Sequence, residues 1–217
     1  MKLSDARRKI ICAIDTSDLT EAISTVQRLN PYAAAFKIGH ALTLPNGLSI
    51  IARLRDAGAE RIFLDLKFHD IPNVVGLAVR EAARYGAWMT TLHLGGGKAM
   101  VTAAVEEARS VSVEKAPLLV GVSVLTSLSE QDLHEDLGIG RSLEAHVVGL
   151  SRMGVGFGLD GVVCSVHEAA FVRPVIGDAV IVTPGIRPSE GDTHDQSRVA
   201  NAKQAMEEGA DYMVIGR

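Results

Sequence analysis

An α/β fold of the (β/α)8, or TIM-barrel, type is what this sequence predicts, as a single domain over residues 1–217. Three observations predict it. Apolar strand-like runs alternate with amphipathic helical patterns from one end of the chain to the other. There are eight of them, and the early units recur at roughly 27 residues, the count and rhythm of a closed barrel. The charges within those runs gather at their C-terminal ends, the side on which barrels keep their chemistry. The rival architecture, a doubly wound sheet, would carry a GxGxxG turn between its first strand and first helix, and the chain has none there.

Each element has its own justification. Ile10 to Asp15 reads as the first strand, and Leu19 to Leu29 as a helix with Ala22, Ile23, Val26 and Leu29 on one stripe. Ala34 to Gly39 is the second strand, followed by a helix ending near Ala57-Gly58. Arg61 to Lys67 is the third, and Pro72 opens the next helix, which runs to about Tyr85. Met89 to Leu94 is the fourth, with Gly95-Gly96-Gly97-Lys98 as a helix-opening turn and a helix over Ala99 to Val111. Leu118 to Leu125 is the fifth, followed by a long helical segment from Ser129 to Met153. Gly161 to Ser165, Ala179 to Thr183 and Tyr212 to Ile215 complete the set. Within these residues only Gly216 and Arg217 follow the eighth strand, so the barrel is expected to lack its last helix there.

Composition narrows the function. The chain is 47% hydrophobic and 22% charged, which suits one globular core. A net charge of −4 argues against a nucleic-acid surface. The seven histidines and two cysteines show no His-x-x-x-His or Cys-x-x-Cys spacing, so no metal site is expected. Cys12 and Cys164 lie in apolar runs and read as buried thiols in a reducing compartment. The N-terminus lacks a signal-like apolar stretch, and no run is long enough to span a membrane, so the expectation is a cytoplasmic protein.

The stretch Asp65-Leu66-Lys67-Phe68-His69-Asp70-Ile71-Pro72-Asn73-Val74 holds the densest chemistry. Side chains two apart on a strand share a face, so Asp65 and Lys67 point the same way, with Asp70 just past the strand end. A lone Asp-x-Lys is usually an ordinary ion pair. Here, however, Asp15 ends the first strand, Lys37 sits late in the second, and Asp65 and Lys67 end the third. Four charges of alternating sign on three successive strand ends form an array of catalytic type. His93, at the end of the fourth strand, reads as a satisfied core histidine, and Thr126 and Ser127, ending the fifth, can hydrogen-bond a ligand. Past the seventh strand come Thr183-Pro184-Gly185-Ile186-Arg187-Pro188 and a polar loop with Gln196, and the eighth ends in Gly216-Arg217. Barrels commonly bind phosphate after strands 7 and 8, and Arg187, Gln196 and Arg217 together suggest such a clamp.

With those residues assembled, the chain resembles the orotidine 5′-monophosphate decarboxylase family of bacterial type along essentially its whole length. The likeness rests on Asp65 to Asn73, Ala13-Ile14-Asp15, Phe36-Lys37-Ile38-Gly39 and Leu125-Thr126-Ser127, in that company with Pro184 to Pro188, Asp195 to Val199 and Val214 to Arg217. It implies a homodimeric barrel that converts orotidine monophosphate to uridine monophosphate and carbon dioxide with no cofactor or metal. It also implies roles. Lys67 protonates C6, Asp65 sits beside the departing carboxylate, and Lys37 and Asp70 complete the array, with Asp70 reaching in from the partner protomer beside Ile71 and Val74. Asp15, Lys37 and Asp70 hold the ribose, Thr126 and Ser127 read the pyrimidine edge, and Gln196, Arg217 and the Gly216 amide grip the phosphate while Arg187 shapes that loop.

Val74 departs from the pattern, since the family usually has threonine there. Two other readings stand beside this one. A magnesium-dependent sugar-phosphate decarboxylase or aldolase of the same superfamily would want an acidic ligand late in the second strand, where this chain has Lys37. A non-catalytic nucleotide-phosphate binding barrel would keep the fold without the chemistry.

Overall fold

The apolar runs become eight short parallel strands, and the periodic stretches between them become helices. In chain order these are β1 (Ile10–Ile14), α1 (Leu19–Leu29), β2 (Ala35–Ile38), α2 (His40–Asn46), α3 (Ile50–Asp56), β3 (Ile62–Phe68) and α4 (Pro72–Arg84). They continue with β4 (Met89–His93), α5 (Gly97–Val111), β5 (Leu118–Val122), α6 (Glu130–Glu135), α7 (Leu143–Gly156) and β6 (Gly161–Val163). The last are α8 (Val166–Ile176), β7 (Val180–Thr183), α9 (Ala202–Glu207) and β8 (Tyr212–Ile215). This computed structural model describes residues 7–111, 116–186 and 201–216. Each strand pairs in parallel with its neighbours in sequence, and β1 closes on β8 through Ile10↔Met213 and Ile11↔Val214, giving a closed eight-stranded barrel. Gly161 in β6 lies against the Val180 carbonyl of β7 with no room for a Cβ.

Local chemistry explains the helix starts. The Asp18 carboxylate accepts the N–H groups of Thr20 (2.6 Å) and Glu21 (3.1 Å), capping α1. Pro72 stands in the first turn of α4, where its missing N–H is not needed. Ser129 and Asp132 form a capping box on α6, and Asn201 caps α9 through the Gln204 N–H.

Strand alternation sorts the core into two shells. One residue from each of seven strands meets inside the barrel: Ile11, Ala35, Phe63, Met89, Val120, Val182 and Val214. The opposite strand faces pack outward on the helices, as where Phe36, Ile38, Ile62 and Leu64 meet Val26, Leu42, Ile51 and Leu54. Both faces are therefore apolar, as parallel barrel strands require.

The expectations differ from the structure in four places. The helical stretch after β2 is two helices parted at Gly47, whose φ of 68° ends α2. The long helix expected from Ser129 to Met153 is likewise two, α6 and α7, with Gly138 at φ 65° between them. The fifth strand stops at Val122, so Thr126 and Ser127 lie in the turn beyond it, closed by Leu128 N–H donating to Leu125 O at 3.0 Å. Cys164 is buried but Cys12 is only partly so; neither is in a disulfide, and burial followed by the nearby Asp15 charge pushes the Cys12 thiol up. Among the described residues, no helix is long and apolar enough to cross a membrane.

Candidate active site

The inward face of the strands leads from the barrel floor to its mouth. Two-residue steps run Ile11–Ala13–Asp15, Ala35–Lys37, Phe63–Asp65 and Val214–Gly216, so each interior apolar residue is succeeded by one at the C-terminal end. The result is a cavity of about 500 Å³ lined by Ala13, Asp15, Lys37, Phe63, Asp65, Lys67, Thr126, Val163, Val182, Pro184, Val214 and Gly216 among others. Its floor is hydrocarbon and one wall is charged.

That wall is a continuous chain of ion pairs. Lys37 Nζ lies 3.5 Å from Asp15 Oδ1 and 3.4 Å from Asp65 Oδ2, while Lys67 Nζ lies 2.9 Å from Asp65 Oδ1. The inner pair is the more enclosed: the Asp65 and Lys37 side chains are 12% and 14% exposed, against 38% for Lys67 and 39% for Asp15. Burial alone would raise the Asp65 carboxyl. The charges of Lys37 and Lys67, with hydrogen bonds from Lys67 and Thr91, outweigh it and hold Asp65 below the usual carboxylate range. Asp65 is thus a buried anion between two ammonium groups. Lys37, bridging the carboxylates of Asp15 and Asp65, fills the place where a cation bound by both would sit. Among the described residues, no three His, Cys, Asp or Glu side chains converge to hold a metal.

Asp65 and Lys67 do share a face, but not by regular strand geometry. Leu64 pairs with Thr90 and Phe68 with Leu92, so β3 spends four steps where β4 spends two. Lys67 takes up the excess at φ 47°, in the left-handed region and alone among described non-glycine residues. Thr91, which sequence reasoning did not single out, stands behind this bulge. The visible signal was a pair of threonines, Thr90-Thr91, inside an otherwise apolar strand.

The structure also places the remaining candidates. Thr126 and Gly216 line the cavity, and Ser127 is exposed in the turn beside Thr126. Asp70 is not among the lining residues; its carboxylate accepts the Ile71 N–H at 2.6 Å, at the exposed start of α4. Around it Ile71 (64% exposed), Val74 and Leu77 present an outward apolar patch. His93 is satisfied as expected but only partly buried, not in the core, its Nδ1 accepting the Gly95 N–H at 3.2 Å while its ring stacks on His69 at 4.8 Å. Arg187, Gln196 and Arg217 lie outside the described residues.

The profile of the orotidine 5′-phosphate decarboxylase / HUMPS family matches residues 8–217. The chain belongs to that family. Among similar proteins of the orotidine 5′-phosphate decarboxylase / HUMPS family, the orotidine 5′-phosphate decarboxylase of Syntrophotalea carbinolica is 42% identical, the match covering 99% of this chain and 89% of that protein. The enzyme of that name from Moorella thermoacetica is 43% identical over 98% of this chain and 85% of its own length. Among solved structures, orotidine 5′-phosphate decarboxylase from Lactobacillus acidophilus superposes with a TM-score of 0.83 at 32% identity, covering 97% of this chain and 90% of that one. An uncharacterized conserved protein from Geobacillus kaustophilus gives 0.81 at 34% identity, covering 96% and 90%.

Proposed function

We propose that this protein decarboxylates orotidine 5′-monophosphate to uridine 5′-monophosphate and carbon dioxide, the last step of de novo UMP synthesis, with no cofactor or metal. It acts as a cytoplasmic homodimer with shared sites, residues 1–217 forming one catalytic domain. The observation that carries the reading is the half-buried Lys37–Asp65–Lys67 array above an apolar cavity floor.

The chemistry follows from those charges. Breaking the bond from C6 to the carboxylate leaves an electron pair on a vinylic carbon, and that carbanion gains most from a fixed ammonium in a water-poor site. Lys67 is that ammonium: it stabilises the developing pair and delivers the proton to C6 as carbon dioxide departs, then regains a proton from solvent. Asp65 lies beside the substrate carboxylate, and the repulsion between two anions is relieved only as the carboxylate leaves. Asp15 and Lys37 hold the ribose, while Thr126 and Ser127 meet the pyrimidine edge. Gln196, Arg217 and the Gly216 amide bind the phosphate, and Arg187 shapes that loop; binding there drives closure over the site. Asp70 completes the array of the partner's site, a role supported by its position away from its own cavity, with Ile71, Val74 and Leu77 as the apolar contact. Cys12 and Cys164, neither in a disulfide, suit a reducing compartment.

An ultraviolet assay of orotidine monophosphate consumption, with and without EDTA, tests the proposal. Turnover unchanged by chelator is the expected result. Loss on chelation with rescue by magnesium would move the protein to the sugar-phosphate chemistry. Nucleotide binding without carbon dioxide release would leave a binding barrel.

A further inference from the structure

We infer that Thr91 is a positioning residue for the proton donor, its one hydroxyl holding both Asp65 and the bulged backbone of Lys67 in reacting geometry. The inference rests on the reading of Asp65 and Lys67 given above. Thr91 stands two residues after Met89, on the inward face of β4, and is completely buried. A hydroxyl at that depth is costly unless its hydrogen-bonding capacity is used. Here it is used twice on the same pair of residues: Oγ1 donates to Asp65 Oδ1 at 3.0 Å and accepts the Lys67 backbone N–H at 2.8 Å.

The polarity of this link is fixed. A hydroxyl has one proton to give, and Asp65, held ionised by its neighbours, can only accept. The Lys67 N–H can only donate. The two bonds therefore cannot reverse, and with Lys67 Nζ on Asp65 Oδ1 at 2.9 Å they close a ring that ties both ends of Lys67 through one hydroxyl and one carboxylate. The ring sits where β3 departs from regular pairing. Lys67 at φ 47° leaves the ladder, and Thr91 supplies the acceptor that a strand carbonyl would otherwise give. A left-handed lysine is strained and persists only where its surroundings hold it. Without the hydroxyl, that N–H loses its partner, the bulge is free to relax, and Asp65 loses the bond that turns Oδ1 toward Lys67 and Oδ2 toward Lys37.

The test compares Thr91→Val and Thr91→Ser with wild type in kcat, KM and the affinity for uridine monophosphate. Valine keeps the shape and removes the hydroxyl; serine keeps the hydroxyl and removes the methyl. The expected result is a kcat lowered about 10- to 100-fold in Thr91→Val, the scale of one hydrogen bond to a charged group. KM and product affinity stay within about threefold, because phosphate and ribose are held elsewhere, and Thr91→Ser restores kcat. If Thr91→Val does not fold, Thr91→Ala set against Thr91→Ser isolates the hydroxyl with the methyl absent from both. A hydroxyl-free variant with wild-type kcat overturns the inference. So does a parallel loss of kcat, KM and product affinity, or a Thr91→Ser as impaired as Thr91→Val. Lys67→Ala measured alongside separates the two levels: activity surviving there sinks the assignment of the proton donor itself, whereas a dead Lys67→Ala beside a fully active Thr91→Val sinks the role of Thr91 alone.

Discussion

The barrel carries a cation–carboxylate group at each end, and the two are built differently. At the N-terminal end, Arg173 of α8 donates to Gly177 O, Ala179 O and Gly209 O, each at 2.7 Å, and to Asp211 Oδ2 at 2.6 Å. That same carboxylate oxygen accepts the Ile181 N–H of β7 at 2.8 Å. At the mouth, Lys37 makes two contacts of 3.4 and 3.5 Å, and Lys67 one of 2.9 Å to a side chain among the described residues. The lower group saturates its charges with backbone and so joins α8, β7 and the start of β8 into one frame. Among the described residues the upper group gives its lysines fewer partners than Arg173 has, and it faces a cavity. The choice of cation follows: the rigid guanidinium fork serves a fixed lattice of carbonyls, whereas a compact ammonium is the group that can give up a proton. Saturation marks structure and spare capacity marks chemistry.

Removing one cation from each end sharpens that contrast, and the largest effect is expected at the mouth. Lys67→Ala should lower kcat by about 10³-fold or more, the upper range for a positioned general acid, while uridine monophosphate still binds. Single-turnover measurement with a product-binding control checks it. Wild-type-like turnover would remove Lys67 from the chemistry.

Asp70 breaks the symmetry of the comparison, since it is proposed to serve the partner's mouth. Asp70→Ala and Lys67→Ala should each be inactive alone, yet regain activity when mixed and allowed to exchange subunits. In the heterodimer one site then holds both lesions and the other is intact. Recovery should track the heterodimer fraction seen by native mass measurement. A mixture that stays dead with heterodimers present means that Asp70 serves its own chain.

Arg173→Met gives the opposite signature from Lys67→Ala. It takes the guanidinium donor from three carbonyls and leaves Asp211 Oδ2 with the Ile181 N–H but no cation, so unfolding free energy should fall by about 2–3 kcal/mol. The kcat of the folded fraction should stay unchanged. Denaturant unfolding beside an activity assay separates the two, and a fall in kcat with stability intact would show that the lower frame reaches the mouth.

Much of this contrast was legible in the residues, because it rides on alternation. A strand apolar on both faces that ends in a charge announces both its burial and its functional end, which is why Asp15, Lys37, Asp65 and Lys67 could be placed together before any fold was known. The bulge was not legible. Asp65 and Lys67 are two apart on any strand, and nothing in a lysine marks a left-handed φ. Thr91 was missed for a related reason: its worth lies in partners 24 and 26 residues away, contacts that β-pairing makes and periodicity does not reveal. The helix breaks at Gly47 and Gly138 were written in glycine and overridden by the apolar pattern on either side. Thr126 was assigned to a strand end because Val124 and Leu125 prolong the apolar run, although the ladder stops at Val122 and the chain turns to bring Thr126 to the cavity.

The smallest effect expected is electrostatic, and it tests whether the mouth contributes stability at all. Asp65 is held below its ordinary value of 3.8 in the folded protein. A carboxyl depressed on folding adds stability that is fully present above the unfolded value and is lost as the pH falls through the folded one. Wild type should therefore lose more unfolding free energy than Asp65→Asn between neutral pH and about pH 3, as read from denaturant midpoints at constant m. Asp132, lowered by its hydrogen bonds from the Ser129 backbone and side chain, is common to both proteins and cancels in the difference. Asparagine keeps the shape of the side chain but leaves Lys37 and Lys67 facing each other without an anion between them. Its stability at neutral pH should thus already lie below wild type, and the gap should narrow on acidification. A gap that stays constant across the range would mean that the two lysines do not hold the Asp65 charge, and the contrast between a saturated frame and a poised mouth would lose its electrostatic basis.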